Sequence, residues 1–234
     1  MKKFLVVLCL LLMAVSSFAE EDLDMDAIQE GIKKGDPAAF NALGAVYYEG
    51  TNGMKQDYAK ALELFTKAAE SGDVDALANL GRIYYLGKGV KKDAKKAAEY
   101  FTKAAEKGHL DAKYNIAFMC DNGEGVKQDK KKAAGLYREA AEEGHMQAQR
   151  NLAEMYYTGD GVKQDKAQAF LWFKKAAEQG DAESQYNIAL MYDRGEGVDQ
   201  NGDLAVEWMK KAADQGYEDA IKELKESEKN TKSK

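Results

Sequence analysis

The sequence predicts an all-α fold, a right-handed α-solenoid of antiparallel helix pairs. The first observation is self-similarity, because a glycine followed by a residue suited to start a helix recurs every 36 residues, with one spacing of 37. The second is composition: the chain has one proline and many helix-favouring residues. The third is that each period holds two amphipathic segments, which bury their apolar faces by stacking. The recurring glycines are Gly35, Gly72, Gly108, Gly144, Gly180 and Gly216.

The first helix of each of the five repeats is expected to begin directly after the recurring glycine. Aspartate suits this place because its side chain accepts hydrogen bonds from unpaired amides, and Pro37 suits the first helical position. Two apolar rows, three residues apart, predict one buried face. The expected first residues are Asp36, Asp73, His109, His145 and Asp181, and the rows are Leu43, Leu80, Ile116, Leu152 and Ile188, and Val46, Ile83, Met119, Met155 and Met191.

The second helix of each repeat is expected to begin at Asp57, Asp93, Asp129, Asp165 or Asn201 and to end at an Ala-Ala pair followed by glycine. A row of large side chains runs through these helices: Phe65, Phe101, Tyr137, Phe173 and Met209. The first helices carry small residues that would let the large ones approach closely. These are Gly44, Gly81, Ala117, Ala153 and Ala189.

A Gly-x-Gly-Val loop joins the two helices in four of the repeats, first at Gly87–Val90. A phosphate-binding loop needs G-x-x-x-x-G-K-[ST], which is absent from the sequence, so the loop is interpreted as a structural turn. Its lysines, Lys88, Lys91 and Lys92, are expected to be local variation, because the equivalents of Lys88 and Lys92 are acidic or amide residues. The equivalents are Glu124, Asp160 and Glu196, and Gln128 and Gln164.

The ends of the chain suggest processing and capping. Residues 1–19 have a Lys-Lys start, a short apolar run and small residues before Glu20, which is typical of a signal peptide. Residues 20–35 are expected to form an N-terminal capping helix, residues 36–216 the five repeats, and residues 217–234 a C-terminal capping helix that frays from Glu226. The sequence therefore predicts an exported, periplasmic or secreted protein without a membrane anchor after cleavage.

Composition and spacing argue against several functions. The formal net charge of −6 disfavours binding to nucleic acid. His109 and His145 occupy equivalent places in adjacent repeats, about 10 Å apart, and so are not expected to share a metal or a nucleophile. Cys120 replaces a recurring tyrosine and is interpreted as a packed thiol. We expect no catalytic residues, no metal site and no cofactor.

The motif Asn-Leu-Gly-x-x-Tyr-x-x-Gly-x-Gly-Val, followed by Lys-Ala-Ala-x-x-Gly, resembles the Sel1-like repeat family, a longer-looped relative of the tetratricopeptide repeat. Residues 76–108 match it nearly position for position. The resemblance implies a scaffold or adaptor that binds other proteins, with host or envelope interactions among exported members. Some cysteine-rich relatives are described as penicillin-binding or β-lactamase-like, which leaves a cell-wall-directed hydrolase as the alternative. This chain departs from that subgroup because it lacks paired cysteines.

The resemblance also implies a binding surface, because the first helices of tetratricopeptide folds line a concave groove that holds peptides. Twelve residues carried over in this way form the candidate face. The recurring asparagines either bind a peptide backbone or bond neighbouring helices, and the sequence leaves both open. The candidate face consists of Asn79, Arg82, Tyr85, Tyr114, Asn115, Phe118, Arg150, Asn151, Glu154, Tyr157, Tyr186 and Asn187.

Overall fold

The protein is described by a computed structural model that covers residues 23–232, with side chains to Ser227. This part of the chain contains twelve helices and no strand, which confirms the all-α helical repeat fold. The helices are α1 (Met25–Lys34), α2 (Pro37–Glu49), α3 (Tyr58–Glu70), α4 (Val74–Leu86), α5 (Ala94–Glu106), α6 (Leu110–Asn122), α7 (Lys130–Glu142), α8 (Met146–Thr158), α9 (Lys166–Glu178), α10 (Ala182–Arg194), α11 (Gly202–Asp214) and α12 (Glu218–Lys232).

The predicted N-caps are all present. Asp57 accepts hydrogen bonds from the amides of Ala59 and Lys60 at 3.1 and 3.0 Å. Where histidine replaces aspartate, the imidazole accepts the capping hydrogen bond instead, and Nδ1 of His145 accepts from the Ala148 amide at 3.1 Å. His109 caps α6 in the same way. The two histidines are therefore explained by helix capping.

We expect His145→Ala to lower the free energy of unfolding by about 1 kcal/mol, because the first turn of α8 would lose its side-chain acceptor. His145→Asp, which installs the residue found at the equivalent place in the next repeat, should preserve stability. Thermal unfolding followed by circular dichroism measures both. Equal losses in the two variants would show that packing of the imidazole, and not capping, matters at this position.

The chain divides into two compact units, each with its own core. The first holds the described residues up to Met119 together with Gly123–Lys127. Its core contains the fully buried Phe65, with Leu80 and Ile83 beside it. A Cβ on Gly44 would lie 2.8 Å from the Phe65 ring, so the small residue is what allows the two helices this close approach, as predicted.

The second unit holds Cys120–Asn122 and the residues from Gln128 onward. The predicted apolar rows are buried here as well, with Leu152 and Ile188 inaccessible to solvent. Gln149 and Gln185 are buried too. Each donates to a carbonyl of the preceding helix, at Ala141 and Ala177, and each accepts from the glutamine directly after the end of the following helix. Buried amides thus link successive helices of this unit.

One further helix lies at each end of the described repeats. α1 packs against α2 through the buried Ile28, and α12 packs against α11 through Ala220. α12 continues as helix beyond Glu226, where fraying was expected, to Lys232. The expected signal peptide, residues 1–19, lies outside the described residues. Among the residues described, none of the helices has the length and apolar character needed to cross a membrane.

Candidate functional site

Arg82, expected to reach a partner, is instead part of the framework of the first unit. Only 7% of its surface is accessible, and its guanidinium lies 4.8 Å from the centre of the Tyr48 ring. One Nη donates to Oδ1 of Asn79 at 3.3 Å, and Asn79 in turn donates to Asn41 of the preceding repeat at 3.0 Å. Burial lowers the pKa of Arg82. The expectation of an accessible Arg82 anchor is therefore corrected.

Tyr85 and Tyr114 are buried as well, at 5% and 3% exposure. The Tyr85 hydroxyl donates to Oε2 of Glu124 at 2.6 Å, and Glu124 lies in the loop of the next repeat. Burial, followed by this hydrogen bond, raises the pKa of Tyr85 far above its ordinary value. Both tyrosines are therefore buried and are not accessible contacts, which corrects the sequence prediction. Asn115 and Phe118, further along α6, are half-buried.

In the second unit, Arg150 forms a bond between repeats. Its Nη1 lies 2.7 Å from Oδ2 of Asp181, the N-cap of α10, and 3.4 Å from Glu183. Both partners of the shorter pair are nearly enclosed, with side-chain exposures of 14% and 7%. Removing one charge from such a pair leaves the other buried without compensation. Arg150 therefore stabilises the stacking of repeats.

Tyr157 repeats the arrangement seen at Tyr85. Its hydroxyl donates to Oε2 of Glu196 at 2.6 Å, and Lys166 pairs with the other carboxylate oxygen of Glu196 at 2.8 Å. The hydrogen bond to Glu196, followed by burial, raises the pKa of Tyr157, while the bonds from Lys166 and Tyr157 lower the pKa of Glu196. Tyr157 itself is only half-buried, so part of the residue stays accessible.

Near the end of the second unit, Tyr186 lies against Tyr217, with 5.2 Å between the ring centres. Burial raises the pKa of Tyr217 to about 12.

Three polar side chains of the candidate face are accessible in the second unit. Glu154 is exposed, and Asn151 and Asn187 are half-buried. Among the described residues, no hydrogen bond is formed by the Asn151 or Asn187 side chain, in contrast to Asn79. An amide presents one acceptor oxygen and two N–H donors, which is what a peptide backbone needs on both sides. This part of the candidate face can therefore receive a polar chain.

The loop positions interpreted as local variation contribute contacts between repeats. Glu124 and Glu196 accept hydrogen bonds from tyrosines of the preceding repeat. At the same position of the other loops, Asp160 pairs with Lys130 at 2.6 Å, and Lys88 lies 5.4 Å from the centre of the Tyr58 ring. The residue between the two glycines thus holds the loop to the preceding repeat, whichever charge it carries. Neither this role nor that of Asn41 was predicted from the sequence. The role of the loop could have been predicted from the sequence, because acidic residues recur at equivalent positions of successive loops.

The remaining candidates for chemistry are enclosed or scattered. Cys120 is 2% exposed, and burial raises the pKa of its thiol. Within residues 23–232, the structure holds no group of three or more histidine, cysteine, aspartate or glutamate side chains suited to a metal ion.

Comparison with known proteins finds the same type of repeat in the sequence and in similar solved structures. Residues 37–73, 74–109, 110–145, 147–181 and 182–217 each match the Sel1 repeat. A Sel1 repeat protein from Oxalobacter formigenes is 33% identical, with a TM-score of 0.75, over 86% of this chain and 78% of that chain. A protective antigen of uropathogenic Escherichia coli, described as having an SLR fold, is 35% identical, with a TM-score of 0.78, over 82% of this chain and 41% of that chain.

A curated relative matches a shorter segment. The ERAD-associated E3 ubiquitin-protein ligase component HRD3A of Arabidopsis thaliana is 37% identical over 73 residues, which are 31% of this chain and 11% of the relative. The chain thus spans about a tenth of the length of that protein, and less than half of the Escherichia coli antigen.

Proposed function

Because this chain belongs to the Sel1 repeat family, we propose that it is an exported, non-enzymatic scaffold that binds a protein or peptide along the first helices of its repeats. The repeated helical architecture supports this, since stacked helix pairs present extended binding surfaces. The HRD3A relative supports it too, because it is described as a component of a ligase assembly.

The accessible amides of Asn151 and Asn187 carry the proposal. They lie on successive first helices of the second unit, half-buried and without a hydrogen bond among the described residues. Tyr157 and Tyr186 lie on the same two helices and are half-buried as well, and aromatic residues are frequent anchors of interfaces. Amides bond the main chain of a partner, while the neighbouring aromatic rings and Glu154 distinguish among partners.

A photo-reactive side chain placed at position 154 tests the surface. We expect it to form a covalent adduct with the native partner in the producing cell. The matched control carries the same photo-reactive side chain in place of Glu207, an exposed residue of α11, which is the second helix of its repeat. Adducts of equal yield at both positions, or none at position 154, would contradict the proposal. Separate analysis of cells and medium in the same experiment tests export.

We expect the double substitution Asn151→Ala and Asn187→Ala to weaken binding of the identified partner about tenfold or more, because each amide contributes about 0.5–1.5 kcal/mol of hydrogen bonding. Helicity should be unchanged, since neither side chain bonds within the described part of the chain. The control is Asn79→Ala, which removes a bond inside the framework and should act on stability. Turnover of a chromogenic β-lactam by the purified chain would contradict the non-enzymatic part of the proposal.

A further inference from the structure

A cleft of about 730 Å³ lies in the second unit, between α7, the loop after α8 and the first turn of α9. It is open to solvent and is not an enclosed cavity. Lys131 and Arg138 line it from α7 and Lys163 from the loop, while Tyr156 forms a wall. The acid in the lining, Asp165, uses its carboxylate to cap α9, where it accepts from the Gln168 amide at 3.0 Å. The cleft is therefore lined by an excess of positive charge in a chain whose net charge is −6.

The cleft exists because two side chains of α7 are small. The next repeat has Phe170 and Leu171 at the places that Ala134 and Gly135 occupy here. Phe170 fills the corresponding space, with its ring edge-on to Tyr192 at 5.1 Å between centres. A Cβ on Gly135 would meet no atom within 4 Å. The next repeat therefore lacks the opening that is found here.

The positively charged side chains that line the cleft have N–H groups available to bond a ligand. Arg138 donates from one Nη to the Tyr156 hydroxyl at 2.8 Å, which fixes the guanidinium in place and leaves its other N–H groups available. Neither Lys131 nor Lys163 forms an ion pair with another described residue. A positioned arginine flanked by free lysines is suited to carboxylate recognition, because the guanidinium can bond both oxygens.

We propose that this cleft binds a carboxylate of an acidic peptide segment. The open side lets a peptide continue beyond the bound residue, and Tyr156 with Ala134 and Val162 offers an apolar surface to the stem of the acidic side chain. The inference rests on the proposed function, since it names the chemistry of one segment of the bound partner. It places that segment at the second helix of the third repeat, apart from the amides of Asn151 and Asn187.

The test uses the purified chain and a fluorescein-labelled pentaglutamate peptide at low salt, with pentaglutamine as the neutral counterpart. We expect anisotropy to show binding of pentaglutamate only. Arg138→Gln should weaken it about tenfold or more, as expected for a lost hydrogen bond to a charged group. Gly135→Leu, which adds the bulk of the equivalent Leu171 to the lining of the cleft, should also weaken it without loss of helicity.

The matched control is Lys174→Gln, which removes one positive charge at the position equivalent to Arg138 in the next repeat. It should change the affinity less than twofold. Equal weakening by Lys174→Gln, no effect of Gly135→Leu, or absence of pentaglutamate binding would each overturn the inference. Displacement of the peptide by inorganic phosphate at lower concentration than by free glutamate would also overturn it, in favour of a phosphate site. Adducts at position 154 would in every case still support the proposed function.

Discussion

Replacing Arg82 with glutamate is expected to lower the free energy of unfolding by about 3–5 kcal/mol. The side chain is 7% exposed and lies against the Tyr48 ring, so a carboxylate here would be buried without a cation. Glu49 and Asp111 already act on the guanidinium as nearby negative charges, and they would repel the new one. The loss should show as a lower urea midpoint by circular dichroism, in the absence of any partner.

Arg82→Met is the matched control, because it keeps a long apolar stem beside the ring and introduces no charge. We expect it to cost less than about 1.5 kcal/mol, since well-packed apolar replacements of buried charges are often close to neutral. If glutamate and methionine at this position have the same midpoint, Arg82 is accessible to solvent and the framework role assigned to it is wrong.

The second large effect is expected at Gly125, the second glycine of its loop. A Cβ there would overlap the carbonyl group of Ala94, in the preceding repeat, and the backbone has φ of +70°. Gly125→Ala therefore combines the strain of a left-handed conformation, about 1–2 kcal/mol, with a displaced contact between repeats of about the same size. We expect a total loss of about 2–4 kcal/mol in urea or thermal unfolding.

A substitution at Gly53 separates the strain of the left-handed conformation from the displaced contact between repeats. It holds the equivalent place in the loop of the first repeat, with φ of +73°, but a Cβ there would meet nothing within 4 Å. Gly53→Ala should therefore show the conformational strain alone, about 1–2 kcal/mol. If Gly53→Ala and Gly125→Ala are equally destabilising, the close contact with Ala94 does not contribute to stability, and the loop does not hold the preceding repeat.

Most of the fold could be predicted because its signals are local. An N-cap such as Asp57, a closing glycine such as Gly87 and an apolar row such as that of Leu152 each depend on residues within a few positions of one another. The repetition of these signals five times then removed the ambiguity that a single helix pattern leaves.

The candidate face was predicted less well because its contacts join residues far apart in sequence. Tyr85 and Glu124 are 39 positions apart, and Asn79 and Asn41 are 38, so a spacing of 36 does not pair them. The repeat pattern placed Ala42, not Asn41, at the position equivalent to Asn79. Arg82 and Glu154 occupy equivalent positions, yet Arg82 is buried and Glu154 is exposed, so the repeat pattern alone does not decide which polar residue becomes buried.

The loops contact the repeat that precedes them in sequence, so the contacts between loops and repeats all run in one direction along the chain. Gly89 fits against Tyr58 in the first unit, and Gly161 and Gly197 fit against the first residues of α7 and α9 in the second. During synthesis on the ribosome, the surface that receives a loop has always emerged before the loop itself. Each new repeat can thus be completed on one that is already made, without waiting for the rest of the protein, so assembly can follow the order of translation.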